Sequence, residues 1–162
     1  MMIQPIFAQP VFVSKLENIN DQEVDFINKQ KKSVFLNKGG NYYSQNSNIL
    51  REKEMETLLK KIQEKVSEYF DKIVCTTDDI KPHITQSWLN WTHKGEGHHT
   101  HTHSNSYISG VYYVSCKKND SIIFEKHQEA IQFENFEKFN IFNMRSWECP
   151  VENNTLILFP SL

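Results

Sequence analysis

Apolar positions in the first half of the chain recur at helical spacing in two segments. Asn20, followed three residues later by Glu23, has the pattern of a capping box and predicts a short helix over about residues 21–30. A longer apolar stripe, with Lys and Glu on its opposite face, predicts a helix from about Ile49 to Ile73. Residues 1–13 combine prolines with apolar side chains, which is typical of an extended strand at a sheet edge.

The segment between these predicted helices has a different composition. Residues 33–48 are rich in Asn, Ser, Gly and Tyr and include Gly39 and Gly40 in tandem, so the sequence predicts a loop. Loops of this length are often functional. We therefore expect residues 33–48, together with residues 126–138, to border the mouth of a pocket and to carry its specificity.

After Pro82 the pattern changes to a period of two, and residue types that favour strands become frequent. This alternation predicts short strands with no helix between them. Six strands are predicted, over residues 84–91, 107–115, 121–125, 130–133, 139–147 and 155–159. Helices followed by a run of strands indicate one α+β domain, mainly β, in which a sandwich or barrel is covered on one side by the N-terminal helices.

Composition and charge exclude several classes of protein. The chain has 162 residues, a formal charge of −2 and 38% hydrophobic residues, which is enough for one domain with a core. No run of Lys and Arg suggests nucleic-acid binding, and no apolar run is long enough to cross a membrane. The three cysteines, Cys75, Cys116 and Cys149, are too far apart to suggest a disulfide framework. We therefore expect a soluble, cytoplasmic protein with free thiols.

The candidate chemistry is concentrated in a histidine tract, because four histidines lie between residues 98 and 103. In an extended segment, residues two apart point to the same side at a spacing of about 6.5 to 7 Å, so His101 and His103 can bind one metal ion. His99 is a further candidate on that side. Neutral imidazole is a good ligand for iron, zinc, copper and nickel. The alternative is a solvated polar loop whose histidines cap turns, but four histidines leading into an apolar strand favour a metal site.

The residues around this tract follow a specific order of motifs. Ser87-Trp88-Leu89-Asn90-Trp91 ends one predicted strand, His101-Thr102-His103 follows, and Ser109-Gly110-Val111-Tyr112-Tyr113-Val114 lies in the next strand. Leu158-Phe159-Pro160-Ser161 comes later. This order resembles a group of small iron(II) and 2-oxoglutarate-dependent oxygenases found in bacteria and their phages.

The resemblance implies a fold. The core of these oxygenases is a double-stranded β-helix, the jelly roll also found in cupins, and the N-terminal helices would pack on one of its sheets. Residues 1–80 would supply the first strand and the helices, and residues 81–162 an incomplete jelly-roll core without its last strands. The group has a distal His and then a basic residue after the Leu-Phe-Pro-Ser motif. Because the sequence stops at Leu162, before both, we expect a C-terminal truncation.

The resemblance also implies cofactors and site residues. Fe(II) and 2-oxoglutarate would be the cofactors and O2 the co-substrate, for oxidation of an unknown substrate. By motif position His101 is the first metal ligand, and His103 stands where the more familiar members carry Asp or Glu. Tyr113 takes the place of a tyrosine that hydrogen-bonds 2-oxoglutarate, and Asn90 and Trp91 are expected opposite it. No further catalytic residue is assigned.

Several alternatives stay open. Glu96 and Glu125 are the carboxylates considered as a substitute third ligand, whereas Trp88 and Tyr112 are expected to be aromatic core or lining. A non-catalytic, cupin-like module that binds a metal or another ligand is the main alternative to a dioxygenase. A phage accessory domain whose histidine tract binds nothing is another. Oxygen-dependent release of succinate tests the first alternative, and metal analysis tests the second.

Overall fold

The computed structural model describes residues 2–126 and 135–161. Within these ranges the chain is a mixture of helices and strands, and the named strands pair antiparallel. The strand predicted over residues 130–133 lies outside the described residues. In the part that is described, no helix combines the length and the apolar character that crossing a membrane requires.

The elements follow one another in this order: β1 (Phe12–Lys15), α1 (Asp21–Gln30), β2 (Val34–Leu36), β3 (Tyr42–Ser44), α2 (Glu56–Tyr69), β4 (Asn90–Trp91), β5 (Ile108–Tyr113), β6 (Ser121–Glu125), β7 (Ser146–Pro150) and β8 (Thr155–Pro160). The strands form three separate sheets, with the orders β1-β8-β5, β2-β3-β4 and β6-β7. The described strands do not close into a barrel. Their antiparallel pairing, together with the helices, is compatible with the jelly roll of an oxygenase.

Helix α1 confirms the sequence prediction, including its capping box. The side chain of Asn20 accepts a hydrogen bond from the backbone of Glu23 at 2.9 Å, and the Glu23 carboxylate accepts one from the backbone of Asn20 at 2.8 Å. The second carboxylate oxygen of Glu23 accepts a bond of 2.7 Å from the backbone N–H of Leu58, in the first turn of α2. One buried side chain therefore caps two helices.

The second helical segment is shorter than predicted. Two 3-10 turns, Ile49–Arg51 and Lys53–Met55, precede α2, and a π-helical turn, Phe70–Val74, follows it. The prediction of one continuous helix was wrong because Glu52, between the two 3-10 turns, has extended backbone angles of φ −69° and ψ 144°. The α-helix therefore begins only at Glu56.

The prediction of a loop over residues 33–48 was also wrong, because β2 and β3 form an antiparallel hairpin there. Residue types that favour strands occur in Val34–Leu36 and in Tyr42–Ser44. The turn between these strands contains Gly39 and Gly40. Gly40 has φ +90°, a left-handed conformation that glycine adopts without strain. Strand β4 pairs with β3 and completes this sheet.

The central sheet places β8 between β1 and β5. Strand β1 lies at the edge, as the prolines that precede it predicted. Leu156 and Leu158 of β8 belong to the same buried cluster as apolar residues of α1 and α2, so the helices cover one face of this sheet. The opposite face is the one that leads to the histidine tract.

Strands β6 and β7 form a separate two-stranded sheet next to this second face. The rings of Phe124 on β6 and Phe159 on β8 meet edge to face, with centroids 5.0 Å apart. Strand β7 begins only at Ser146, later than predicted, because the preceding residues form a turn. In that turn the backbone carbonyl of Asn140 accepts a hydrogen bond from the N–H of Met144, and the side-chain oxygen of Asn140 accepts one from the N–H of Phe142.

Candidate metal centre

The histidine tract connects β4 to β5 and is held by the β2–β3 hairpin. The backbone N–H of Gly97 donates to the carbonyl of Gly39 at 3.3 Å, and Gly40 and Gly97 form an isolated bridge. The contact is so close that a Cβ added to Gly39 would lie 2.2 Å from the carbonyl oxygen of Gly97 and 2.9 Å from the backbone nitrogen of His99. The conformation of the tract therefore depends on the absence of a side chain at residue 39.

His101 and His103 converge as a pair, with their Nε2 atoms 2.9 Å apart. Two imidazole nitrogens bound at about 2.1 Å to one metal ion, at right angles to each other, lie about 3.0 Å apart. The spacing therefore fits neighbouring ligands of an octahedral ion such as Fe(II). His101 is exposed, which leaves the other positions around such an ion open, and His103 is half-buried.

The Nδ1 atoms of both rings have oxygen partners behind them. His101 Nδ1 lies 2.8 Å from the carbonyl oxygen of His99, and His103 Nδ1 lies 2.8 Å from the hydroxyl of Ser109. Such partners orient metal-binding histidines and direct Nε2 toward the ion. The edge of the Trp88 indole also packs against the His103 ring, with centroids 5.6 Å apart.

Burial favours the metal-binding, neutral form of His103 and His98. It lowers the pKa of His103, with a smaller contribution from His101, and it also lowers the pKa of His98, whose ring meets His101 edge to face. A lowered pKa keeps imidazole neutral at neutral pH, and neutral imidazole is the ligand.

The two carboxylates considered as a third ligand have other partners. Glu125 accepts a hydrogen bond of 3.1 Å from the Thr100 hydroxyl, and Glu96 accepts one of 3.0 Å from the backbone of His93. Across residues 2–126 and 135–161, no three His, Cys, Asp or Glu side chains are grouped so that they could hold one metal ion. Among the described residues, His101 and His103 therefore pair without a third such side chain, and Glu125 contacts the tract through Thr100.

Strand β5 carries Ser109 and Tyr113 on one face and Tyr112 on the other. Tyr112 packs against the hydrophobic core and donates to the side chain of Asn154 at 2.9 Å, as expected of a core residue. Burial raises the pKa of Tyr113 strongly, with smaller contributions from Cys116 and two other acidic groups. The Tyr113 phenol therefore stays protonated and is a hydrogen-bond donor on the face that leads to His103.

Asn90 and Trp91, both expected near the cofactor, point to different surroundings. The Asn90 side chain accepts a bond of 3.3 Å from the buried amide of Asn41. Trp91 packs against the hydrophobic core. Trp88, expected to be aromatic core or lining, is 37% exposed and lies against His103, so it is lining and not core. Its position two residues before Asn90, in an alternating segment, was the signal that would have placed it outside the core.

The chain is similar to a known protein family over part of its length. A family model described as "Putative 2OG-Fe(II) oxygenase" matches residues 86–162, the region that contains the histidine tract, β5 and β8. The match confirms the resemblance drawn from the motifs, and this part of the chain is similar to that family. No curated protein matches the chain.

Proposed function

We propose that this chain is an Fe(II)- and 2-oxoglutarate-dependent dioxygenase domain with a jelly-roll core, in which His101 and His103 supply two ligands to the iron. The observation that carries this proposal is the 2.9 Å separation of their Nε2 atoms, with an oxygen partner behind each Nδ1. The family match supports the choice of Fe(II) and 2-oxoglutarate over other metals and ligands. The donor set fits this choice, because imidazole is a ligand that non-haem iron oxygenases use.

The other residues of the proposed site bind and orient the keto acid. In this proposal the protonated Tyr113 phenol donates a hydrogen bond to a carboxylate of 2-oxoglutarate. Asn90, whose side-chain oxygen accepts from Asn41, would offer its amide N–H groups to the same ligand. Trp91 supports β4 from the core side. When bound, the iron supplies the redox chemistry that couples O2 and the keto acid to oxidation of the substrate. Trp88 packs against the His103 ring and limits its movement.

The second candidate function is a non-catalytic, cupin-like module that binds a metal through the same two histidines. One observation favours it, namely that the described residues bring no third His, Cys, Asp or Glu to the pair. A complete facial triad would require such a ligand.

The metal site is tested by anaerobic calorimetric titration with Fe(II), using protein purified without a nickel column. We expect one Fe(II) per wild-type chain, and we expect His101→Ala and His103→Ala each to weaken binding by at least about 100-fold, because each removes a ligand. His83→Ala is the matched control, since His83 is exposed and lies outside the tract. Loss of binding only in the double variant, with neither single change having an effect, would contradict a two-ligand site.

Measuring turnover of 2-oxoglutarate distinguishes the dioxygenase from the binding module. Purified protein with Fe(II), 2-oxoglutarate and O2 is assayed for succinate. Succinate that requires O2 and disappears in His101→Ala supports the dioxygenase. Stoichiometric Fe(II) binding with no succinate supports the binding module instead.

A further inference from the structure

Two buried serine hydroxyls lie directly behind His103. Ser109 and Ser161 are each 6% exposed. The Ser109 hydroxyl lies 2.8 Å from His103 Nδ1 and 2.9 Å from the Ser161 hydroxyl, so the three groups form a continuous hydrogen-bonded row. We call Ser109 and Ser161 the serine pair.

The backbone holds the serine pair in register with the histidine. The N–H of His103 donates to the carbonyl of Ser161 at 3.1 Å, and the N–H of Ser161 donates to the carbonyl of Tyr107 at 3.3 Å. Ser109 lies on β5 opposite Phe159 of β8. Because strand pairing fixes these positions, the hydroxyls can change their orientation but not their place.

The partners of the two rings determine where the protons would lie without an ion between them. The carbonyl oxygen of His99 can only accept, so neutral His101 carries its proton on Nδ1 and presents a lone pair on Nε2. Without an ion, the Nε2 atom of His103, 2.9 Å away, would have to donate to it, since two lone pairs would repel each other. His103 Nδ1 would then be an acceptor. Ser109 would donate to it and in turn accept from Ser161.

Metal binding requires the opposite arrangement at His103. Its Nε2 must present a lone pair to the ion, so the ring proton has to lie on Nδ1. Ser109 must then accept from Nδ1 and donate to Ser161. A hydroxyl can do both, because it is a donor and an acceptor and rotates freely, whereas a carboxylate or a carbonyl can only accept. The ring keeps one proton throughout, so its charge does not change.

We propose that the serine pair is a reversible hydrogen-bond relay that lets His103 exchange its Nε2-protonated form for the Nδ1-protonated form when a metal binds. This inference rests on the proposed metal site. Ser109 and Ser161 are thus positioning residues, which act on the metal through His103 and do not touch it.

The relay is tested first by ¹⁵N NMR of the histidine rings in the full chain. We expect the metal-free protein to show His103 protonated at Nε2. The diamagnetic ion Zn²⁺ is expected to move that proton to Nδ1. A His103 ring that is already Nδ1-protonated without metal would overturn the relay. This NMR measurement uses the wild-type chain, so it does not depend on whether a substituted chain folds.

Variants then test the serine pair itself. We expect Ser109→Ala to weaken Zn²⁺ and Fe(II) binding by about 10- to 100-fold and to leave metal-free His103 as a mixture of the two protonated forms. Ser161→Ala is expected to have the same effect on the NMR signal and a smaller effect on affinity. Ser109→Thr, which keeps the hydroxyl, should restore affinity to within about threefold of wild type.

Ser106→Ala is the matched control, because its hydroxyl lies in the same loop but donates to the backbone carbonyl of Ile108. We expect its metal affinity and its His103 signal to equal those of the wild type. If Ser109→Ala also keeps the wild-type affinity and the wild-type NMR signal, the relay is refuted while the two-histidine site stands. If wild-type protein binds neither Zn²⁺ nor Fe(II), the proposed metal site fails, and the relay fails with it because no ion moves the proton to Nδ1.

Discussion

Gly39→Ala is expected to lower the affinity for Fe(II) by at least about tenfold and to destabilise the fold by about 2–3 kcal/mol. The added Cβ would lie 2.2 Å from the Gly97 carbonyl oxygen and 2.9 Å from the His99 nitrogen, and both are backbone atoms that cannot rotate away. Relief must therefore displace the tract. Displacing His99 moves the carbonyl that holds His101 Nδ1, and so it turns the ring away from its metal-binding position.

Gly97→Ala provides the matched comparison within the same tract. A Cβ at residue 97 meets no atom within 4 Å, so this variant adds the same methyl group to open space. We expect its Fe(II) affinity, measured by anaerobic titration, to stay within about twofold of the wild type, and its midpoint of urea unfolding to change little. If Gly39→Ala and Gly97→Ala bind Fe(II) equally well, the β2–β3 hairpin does not hold the metal centre in place.

Glu23→Gln is expected to lower the free energy of unfolding by about 2–4 kcal/mol. The Glu23 carboxylate is 1% exposed and accepts backbone hydrogen bonds from Asn20 and Leu58, one through each oxygen. Glutamine keeps one acceptor and turns a donor toward the other N–H, which leaves a buried backbone group without a partner. Because these groups begin α1 and α2, both helices lose stability together.

Urea denaturation measures this effect as a lower midpoint with an unchanged slope. Glu56→Gln is the control, since Glu56 lies in the first turn of α2 but is exposed and pairs with Lys60 at 2.9 Å. An exposed ion pair of this kind contributes little, and we expect a change within about 0.5 kcal/mol. A loss of stability at Glu56 as large as that at Glu23 would show that helix charge, and not the shared cap, is responsible.

What the sequence predicted correctly is mostly local. The bounds of α1 follow from a capping box whose two hydrogen bonds join residues three apart, so that a short window contains all the information. The closeness of the His101 and His103 rings is equally local, because only Thr102 separates them, while their role as metal ligands stays a prediction. The alternation of residues 107–114 likewise placed Ser109 and Tyr113 on one face of β5.

What the sequence could not predict depends on partners far along the chain. Strand β3 is fixed by Leu89, whose backbone carbonyl accepts from the Ser44 N–H at 3.0 Å and whose N–H donates to the Ser44 hydroxyl at 3.0 Å. The 3-10 turns before α2 are held by Ser87, whose hydroxyl accepts from Leu50 at 2.9 Å. Neither partner can be identified from composition, since both contacts arise only when β4 docks.

The same limit applied to the metal centre. Ser161 reaches His103 only through the antiparallel register of β5 and β8, and Gly39 reaches the tract only when the hairpin docks. Strand pairing of this kind is selected by the whole fold, so the closeness of the two histidine rings could be predicted and the residues that contact them could not.

The position of β8 has a consequence for how the protein is made on the ribosome. Strand β1 emerges early, yet its pairing partner in the central sheet is residues 155–158, which are synthesised long afterwards. Until then the apolar faces of α1 and α2 lack Leu156 and Leu158, and the nascent chain carries unpaired strand edges. Most of the chain must therefore be synthesised before the central sheet can form. During that interval the nascent chain exposes apolar surface of the kind that chaperones bind.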